Sequence, residues 1–254
     1  MNRRLMILEV SRKQDYIFSS RKLKDNVRRS SEIREVTESV FFHDSANGLY
    51  CEADNLVYSG GGHTVLQFPD VGSATAFAKA VSTAALCRYP DMELYIKQTD
   101  YDSSLLPGDN LRNLTDGLER KKALRRPSFR WLSTGVEALS NESWSPSHDK
   151  QRRLTERPMA QLAPLCGKYP LEFEQLVRSD NYIAVVHIDG NAMGARVEEL
   201  LKDVQDWDDA CNRLKRFSSC VDTDYSEAFH ETVSQLLHCK PELDKEEFFT
   251  STFS

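Results

Sequence analysis

A single carboxylate stands between an apolar run and two glycines. Residues 183–188 are apolar except for His187, which is typical of a strand buried on both faces, and Asp189 comes next. Gly190 and Gly194 permit the close approach of a backbone or a phosphate. Magnesium sites that act on nucleotides use one or two carboxylates together with substrate phosphates. Asp189 is therefore either a metal ligand or a cap for a following helix.

A second glycine-rich segment joins two short β-prone runs. Residues 55–59 and His63–Phe68 are separated by glycines 60–62, which tolerate positive φ at every position, so the pattern predicts a β-hairpin. His63 is either a strand residue at the turn or a ligand. His187 lies inside an apolar strand, and we interpret it as a packed, hydrogen-bonded histidine rather than a general base.

The composition is that of a globular chain without a membrane span. The 254 residues are 40% hydrophobic, which is adequate for one large domain or two smaller ones. No apolar run approaches the roughly 20 residues that cross a bilayer, and the first residues lack the features of a signal peptide. Six scattered cysteines without Cys-x-x-Cys spacing indicate neither a zinc site nor a disulfide framework. We expect a cytoplasmic protein with no membrane partner.

The charge is acidic overall but basic in two places. A net charge of −6 argues against nonspecific nucleic-acid binding as the main activity. The first basic cluster comprises Arg12, Lys13, Arg21, Lys22, Lys24, Arg28 and Arg29, and the second comprises Lys121, Lys122, Arg125, Arg126 and Arg130. Either cluster could meet a triphosphate or RNA. A charge run is more often a solvated face, and we favour that interpretation for the second cluster.

The first hundred residues alternate between strand and helix patterns. The predicted elements are strands at 5–10, 55–59, 63–68 and 92–98 and helices near 33–40 and 74–85. In the first helix, Ile33, Val36 and Val40 have i, i+3, i+7 spacing. The order β-α-β-β-α-β predicts an α+β, ferredoxin-like domain at residues 1–100, in which two helices cover one face of an antiparallel sheet.

The remaining chain divides into a connecting region and a second unit. Residues 101–178 are predicted to be mainly helical and to connect the domains, with a helix around Leu111, Leu114 and Leu118. Residues 179–254 begin with a strand and continue as a long amphipathic stretch. This unit begins like the first, which suggests an internal duplication whose second copy is truncated after its opening β-α.

Three segments along the chain share the motifs of one family. Residues 14–18 read Gln-Asp-Tyr-Ile-Phe, residues 58–63 read Tyr-Ser-Gly-Gly-Gly-His, and residues 189–194 read Asp-Gly-Asn-Ala-Met-Gly. In this order they resemble the polymerase-like large subunit of type III CRISPR effector complexes and its standalone relatives with paired palm domains. The second segment is similar to the hairpin of the family's first, noncatalytic palm, and the third to the segment that opens its catalytic palm.

The resemblance implies a nucleotidyltransferase that binds ATP between two palms and makes cyclic oligonucleotide signals in antiphage defence. Two-metal phosphoryl transfer of this type uses Mg²⁺ or Mn²⁺ held by several carboxylates. Asp189 matches the first metal ligand and the catalytic carboxylate, and the Gly190 carbonyl is a possible second metal contact. The nucleotide-binding residues implied by the resemblance are Gly60, Gly61, Gly62, His63, Gly190, Asn191, Met193 and Gly194.

The chain departs from the family in its carboxylates. Asn191 stands where the family commonly has a second Asp, and it supplies a neutral oxygen. No glycine follows Gly194, so the family's Gly-Asp-Asp hairpin is absent, and Asp208 and Asp209 fall in a helical stretch that cannot form it. We therefore expect the N-terminal part of a longer enzyme, inactive by itself.

Two other hypotheses remain. The chain could be a noncatalytic module that binds a nucleotide or a partner, such as another palm-containing chain or a defence-complex subunit. It could also be an RNA-binding scaffold that uses its basic clusters. In the first motif, we expect Tyr16 and Phe18 to fill the core, as we do Met193, whereas Gln14 and Asp15 could cap a helix or touch a ligand.

Overall fold

The computed structural model describes residues 3–124, 190 and 192–239. The chain divides into two compact units. The described residues of the first unit are 3–12, 33–124, 190 and 192–222, and those of the second are 13–32 and 223–239. The predicted strand at 183–188 and most of the predicted connecting region lie outside the described residues. The division of the chain at residues 100 and 178 stays a prediction.

The described part of the first unit is built on a four-stranded antiparallel sheet. Its strands are β1 (Arg4–Ser11), β2 (Leu56–Gly60), β3 (His63–Phe68) and β4 (Glu93–Asp100). They lie in the order β2-β3-β1-β4, and each neighbouring pair is antiparallel. Central β1 places Ile7 opposite Val65 of β3 and Lys97 of β4. The predicted α+β class with an antiparallel sheet is confirmed.

Eight helices are described along the chain, and a polar side chain caps the start of two of them. They are α1 (Lys13–Ile17), α2 (Leu23–Val36), α3 (Ser39–Ser45), α4 (Glu52–Asn55), α5 (Val71–Arg88), α6 (Pro107–Ala123), α7 (Met193–Leu201) and α8 (Trp207–Cys239). The Asp70 carboxylate accepts a hydrogen bond from the Ser73 amide at 2.9 Å, which caps α5. Asp206 caps α8 in the same way, accepting from the Asp209 amide at 2.8 Å. The helical assignment of the later Asp pair is confirmed.

The helix predicted across Ile33, Val36 and Val40 is two helices instead. α2 ends at Val36, and the Thr37 hydroxyl donates to the Ile33 and Arg34 carbonyls at 3.2 and 3.0 Å. Glu38 is extended, so α3 starts on a new axis and Val40 is 65% exposed. The spacing was misleading because the hydroxyl satisfies terminal carbonyls that another helical turn would otherwise use.

One face of the sheet packs against α3 and α5. Side chains alternate along a strand, so Met6 and Leu8 of β1 point to this face, and both are fully buried. Phe77 of α5 lies with its ring 5.0 Å from that of Phe68 and 5.5 Å from that of Phe42 in α3. Phe77 is also fully buried, and such aromatic clusters contribute stabilisation beyond their buried area.

Helices α6, α7 and α8 cover the opposite face of the sheet, although the sequence pattern assigned them to the connecting region and to a second domain. Leu5 and Ile7 of β1 form one buried cluster with residues of α6, α7 and α8; its further members include Leu114, Leu118, Leu201, Ala210 and Leu214. A fold with helices on one face only would leave this apolar face in water. The connecting-region helix and the helices after residue 190 therefore complete the core of the first sheet.

The outer edge of β4 carries a cationic side chain. Lys121 at the end of α6 donates a hydrogen bond from Nζ to the Ile96 carbonyl oxygen at 2.7 Å. Backbone groups along a strand alternate in direction, so the Ile96 carbonyl faces away from β1. Lys121 thus occupies part of an edge that has no neighbouring strand among the described residues.

In the second unit, α1 and the first part of α2 enclose a polar network. Arg28 and Arg29 are 6% and 8% exposed, so these two members of the first basic cluster are internal. The Tyr16 hydroxyl donates to Glu32 at 2.5 Å. Tyr16 is buried as expected, but Phe18 is 56% exposed, so its prediction as a core residue is wrong. Phe18 comes directly after the last residue of α1, where the chain turns outward.

Candidate functional site

The glycine segment predicted to bind a nucleotide forms a two-residue turn. Gly60 pairs with His63 across the ends of β2 and β3, which leaves Gly61 and Gly62 as the turn residues. Their φ angles are +59° and +75°. Turns that require positive φ at both central positions match the twist of a hairpin, and glycine adopts them without steric cost. The two glycines therefore explain why the chain forms the predicted hairpin at this point.

Hydrogen bonds from three directions fix this hairpin. The Val10 amide at the end of β1 donates to the Gly62 carbonyl at 3.1 Å. The Ser59 hydroxyl and Thr64 Oγ1 both donate to the Thr37 carbonyl, at 2.9 and 2.6 Å. On the α8 side, the Ser218 hydroxyl donates to the Ser59 carbonyl. The turn is therefore held in place by β1, by the chain after α2, and by α8.

Five polar or aromatic side chains stand beside the turn, and we call Glu9, Tyr58, His63, Tyr95 and Lys122 the hairpin cluster. Glu9 lies opposite His63 on one side and Tyr95 on the other, so these three side chains share a face. The rings of Tyr58 and His63 meet edge to face at 5.5 Å. Lys122 Nζ lies 3.0 Å from a Glu9 carboxylate oxygen and 2.6 Å from Glu119.

Burial and charge set the protonation states in the hairpin cluster. Burial, and to a smaller extent the negative charge of Glu9, raises the pKa of Tyr58 to about 12. Burial acts to lower the pKa of Lys122, but hydrogen bonds to Glu119 and Glu9 outweigh it, and the net pKa is raised. At neutral pH the cluster therefore presents a neutral phenol and an ammonium group.

The second predicted segment begins α7. Asp189 and Asn191, the predicted metal ligand and its neighbour, lie outside the described residues. Gly190 is half-buried, and Ala192 has φ 55° and ψ 35°, a left-handed conformation that is unusual for alanine. Met193 is half-buried rather than fully within the core, and Gly194 is exposed with open space around its α-carbon. The backbone is tightly turned where α7 starts.

The two predicted segments are placed by different elements. β1 and α8 hold the hairpin through hydrogen bonds, whereas α7 packs on α6 through buried Leu201, and an exposed Arg112–Glu198 hydrogen bond of 3.2 Å joins the same two helices. Within residues 3–124, 190 and 192–239, no group of three His, Cys, Asp or Glu side chains is arranged to hold a metal ion. The metal and nucleotide assignments of these residues stay predictions.

Lys122, Glu9 and Ser218 were not singled out from the sequence as parts of a site. The interpretation of the second basic cluster as a solvated face is wrong for Lys122, whose side chain is 17% exposed. Its position four residues after Leu118 was the available signal, because i and i+4 share one face of a helix and Leu118 is fully buried.

Comparisons with known proteins give partial structural similarities. No family model and no curated protein matches the chain. Solved structures of Csm1 and Csm1–Csm4 assemblies are similar to it. Csm1 from T. onnurineus matches at 19% identity and a TM-score of 0.39, over 50% of this chain and 20% of that one.

Two assemblies match at a similar level. The Csm1–Csm4 cassette in complex with cA3 matches at 16% identity with a TM-score of 0.40, over 48% of this chain and 19% of the other. The Csm1–Csm4 subcomplex of the type III-A CRISPR-Csm interference complex matches at 18% identity with a TM-score of 0.38, over 48% and 19%. The matched part spans about a fifth of those chains, and such values do not establish a family.

The described helices also bear on the membrane prediction. None of those within residues 3–124 and 192–239 combines the length and the apolar character needed to cross a bilayer.

Proposed function

We propose that this chain is the nucleotide-contacting part of a nucleotidyl cyclase of the type III CRISPR polymerase kind, which makes cyclic oligonucleotides from ATP in antiphage defence. The observation that carries the proposal is the turn at residues 60–63. Its two central glycines have positive φ, it is hydrogen-bonded to the end of β1, and the Lys122 ammonium group lies on the same end of the sheet.

These features suit a phosphate-bearing ligand. Glycines have no Cβ to obstruct a phosphate, and successive backbone N–H groups in a tight turn favour an anion. The Lys122 ammonium group beside the turn is paired with Glu9 and Glu119, so the glycine backbone is the main phosphate contact that we propose. The sheet order β2-β3-β1-β4 with helices between its strands supports the interpretation of residues 1–100 as a ferredoxin-like palm.

The proposed metal ligands suit one hard cation. Asp189 provides a carboxylate, Gly190 a carbonyl and Asn191 an amide oxygen, which are donors that Mg²⁺ or Mn²⁺ accepts when substrate phosphates complete the site. When bound, the cation would neutralise charge that develops on the triphosphate. One carboxylate is insufficient for two divalent ions, so we assign to these residues the binding and orientation of ATP. Turnover requires carboxylates from a partner palm.

ATP binding to the whole chain in the presence of Mg²⁺, measured by isothermal titration calorimetry, tests the proposal. In Gly60→Ala, the new methyl group meets the Ser218 hydroxyl oxygen at an ordinary 3.8 Å, so the fold is retained while the methyl group hinders close approach of a ligand to the backbone at the turn. We expect affinity to fall about tenfold, or ~1.4 kcal/mol. Gly108→Ala in α6 is the matched control, because its added methyl group would meet the Leu201 side chain of α7 at a similar distance of 3.5 Å.

Two outcomes would contradict the proposal. The first is the absence of ATP binding by the folded wild-type chain, and the second is an equal loss in Gly60→Ala and Gly108→Ala. Asp189→Ala should remove the Mg²⁺ dependence of binding and leave a residual, metal-independent affinity. We expect no oligonucleotide product from this chain alone.

The hairpin itself favours a second candidate, a nucleotide-binding or partner-binding module without turnover. It carries glycines and His63 where a catalytic hairpin needs carboxylates. Restoration of product by an added palm-containing chain would favour the cyclase. Unchanged ATP binding with no product in any such mixture would favour the noncatalytic module.

A further inference from the structure

The end of the β2–β3 hairpin is short and rich in glycine. A register shift interrupts β2 between Leu56 and Tyr58, and pairing then continues over residues 58–60 of β2 and 63–65 of β3 up to the turn. An irregularity of this kind increases the local twist and weakens the register of a strand pair. Glycine also has more backbone freedom than any other residue. A turn made of glycines therefore loses much conformational entropy when it binds a ligand, unless other contacts hold it beforehand.

Two hydroxyl groups hold the hairpin directly below the turn. Ser59 and Thr64 are register partners on β2 and β3, and both donate to the Thr37 carbonyl oxygen, at 2.9 and 2.6 Å. The two hydroxyl oxygens lie 3.1 Å apart. Thr64 and Thr37 are 0% and 3% exposed, so water does not compete for these hydrogen bonds. Both strands are thus tied to one acceptor, and we call Thr37, Ser59 and Thr64 the Thr37 clamp.

The break between α2 and α3 makes this acceptor available. In a continuous helix, the Thr37 carbonyl would accept a hydrogen bond from the amide of Phe41, one helical turn later. Here the Phe41 amide donates to the Glu38 carbonyl at 3.1 Å instead. The Thr37 hydroxyl also fixes this residue at the end of α2, because it donates to the Ile33 and Arg34 carbonyls. The helix break therefore gives the hairpin a carbonyl that a longer helix would have used.

We infer that the Thr37 clamp positions the turn at residues 60–62 for the phosphate chain of the nucleotide, an inference that rests on the proposed function. The clamp residues are positioning residues, because they act through the backbone that they hold and not by touching the nucleotide. A turn that is ordered before binding retains more of the interaction energy as affinity. The turn presents backbone to the ligand, which suits an anion such as a phosphate rather than a base.

The shared acceptor predicts how loss of each hydroxyl affects binding. Thr64→Val keeps the shape of the side chain and removes one donor, while the Thr37 carbonyl keeps the Ser59 hydroxyl. We expect ATP to bind about fivefold more weakly, which corresponds to the net contribution of one hydrogen bond. Ser59→Ala should have a similar effect. The double variant removes both side-chain donors from a buried carbonyl, so its loss of affinity should exceed the product of the two single losses.

Isothermal titration calorimetry of the full chain with Mg²⁺ tests the inference, with ATP and inorganic tripolyphosphate as ligands. Tripolyphosphate has no base or sugar, so an equal fold loss for both ligands locates the effect at the phosphates. Thr64→Ser retains the hydroxyl and should restore the affinity. Thr115→Val is the matched control, because the Thr115 hydroxyl donates to the Leu111 carbonyl at 3.0 Å within α6. This control should bind both ligands as the wild type does.

Hydrogen–deuterium exchange without a ligand measures the positioning itself. The Val10 amide donates to the Gly62 carbonyl at 3.1 Å, so its exchange rate reports whether the turn stays bound to the end of β1. Thr64→Val and Ser59→Ala should each accelerate exchange at Val10, and Thr115→Val should not. Thermal unfolding shows which variants are folded, and Ser59→Ala keeps the test decisive if Thr64→Val fails to fold.

Failure of the clamp is distinguishable from failure of the proposed function. A folded wild-type chain that does not bind ATP overturns both. If the wild type binds ATP, the clamp alone is overturned by full affinity in Thr64→Val and Ser59→Ala, by equal losses in Thr64→Val and Thr115→Val, or by a failure of Thr64→Ser to restore binding. A loss that affects ATP but not tripolyphosphate also overturns it, because the turn would then not position the phosphates.

Discussion

The two ends of the sheet in the first unit differ in how tightly their side chains pack. At one end, Trp207 is 4% exposed, its indole N–H donates to Gln67 at 2.6 Å, and its ring meets that of Tyr101 at 5.0 Å. The Arg3 guanidinium lies 5.7 Å from the Trp207 ring centre. At the other end stand the glycine turn and the hairpin cluster.

We expect the first end to serve stability and the second to serve binding. Arg3, Gln67, Tyr101 and Trp207, which we call the Trp207 cluster, contact one another through a hydrogen bond, a ring pair and two cation–π contacts. The hairpin end has positive-φ glycines and an ammonium group held by two carboxylates. A substitution at the first end should change folding, whereas one at the second should change binding with a smaller effect on folding.

Trp207→Ala should give the largest effect. It removes a buried indole, its hydrogen bond to Gln67 and its contact with Arg3, and we expect a loss of about 3–5 kcal/mol in the free energy of unfolding. Urea denaturation followed by far-UV circular dichroism measures it. Trp207→Phe keeps an aromatic ring and should lose less than half as much. A full retention of stability in Trp207→Ala would contradict the assignment of this end to the core.

The pH dependence of stability should isolate the hairpin end. The pKa of Tyr58 is about 12 in the folded protein, above its ordinary 10.0, so the folded state keeps the proton longer than the unfolded chain. Stability present below pH 10 is therefore lost as the pH rises to about 12, by roughly 2–3 kcal/mol, about half of it by pH 11.

Tyr58→Phe removes this titration. Urea denaturation at several pH values from about 9 to about 11 should show a shallower decline in the variant than in the wild type. Burial also raises the pKa of Tyr50 to about 12, and that contribution remains in both proteins, so the difference between them belongs to Tyr58. Parallel curves would refute a neutral, buried phenol beside the turn.

A pair of glycine variants compares strain with binding. Gly61 has φ +59° in the hairpin turn, and Gly48 has φ +76° in the segment between α3 and α4, with nothing within 4 Å of an added Cβ. Alanine at either position should destabilise the fold by about 1–2 kcal/mol through backbone strain. Only Gly61→Ala should also weaken ATP binding, measured by calorimetry at a temperature where both variants are folded. Equal binding losses would remove the hairpin from the proposed site.

The smallest effect is expected at Gly194, where substitution should raise stability but lower the affinity for ATP. Alanine is favoured over glycine in a helix, and open space surrounds this position in the first turn of α7, so Gly194→Ala should raise stability by about 0.5 kcal/mol. If a nucleotide approaches this turn, the same variant should bind ATP more weakly. Thermal unfolding and calorimetry on one preparation measure both, and a gain in stability with unchanged affinity would exclude Gly194 from the site.

Local sequence patterns predicted the helices and strands better than they predicted how these elements pack. β3 at His63–Phe68 and the glycine turn before it follow from residue types alone, because β-branched residues and consecutive glycines have few alternatives. Val40 was misplaced because a hydroxyl at Thr37 ends α2, an effect that periodicity does not register. Phe18 was wrongly predicted to lie in the core because hydrophobicity alone does not distinguish an exposed aromatic side chain from a buried one.

The candidate site shows the same division. Gly60, Gly61 and Gly62 could be identified from the sequence as a turn, because the turn depends only on consecutive residues. Glu9 and Lys122 are separated by more than a hundred residues in the chain, and only the packing of α6 onto the sheet brings them to 3.0 Å. The side chain that fixes the turn from α8, Ser218, carries no motif at all. Long-range contacts of this kind depend on tertiary packing, which single-sequence patterns do not encode.

The Lys121 hydrogen bond to the Ile96 carbonyl limits how the protein can assemble. A strand that adds to a sheet must use the outward carbonyls and amides of the edge strand, and here one of those carbonyls already has a donor. A charged lysine on an edge also disfavours the continuous, dry pairing from which fibrils grow. The Lys121 hydrogen bond therefore disfavours the addition of a strand of another chain to β4 at Ile96.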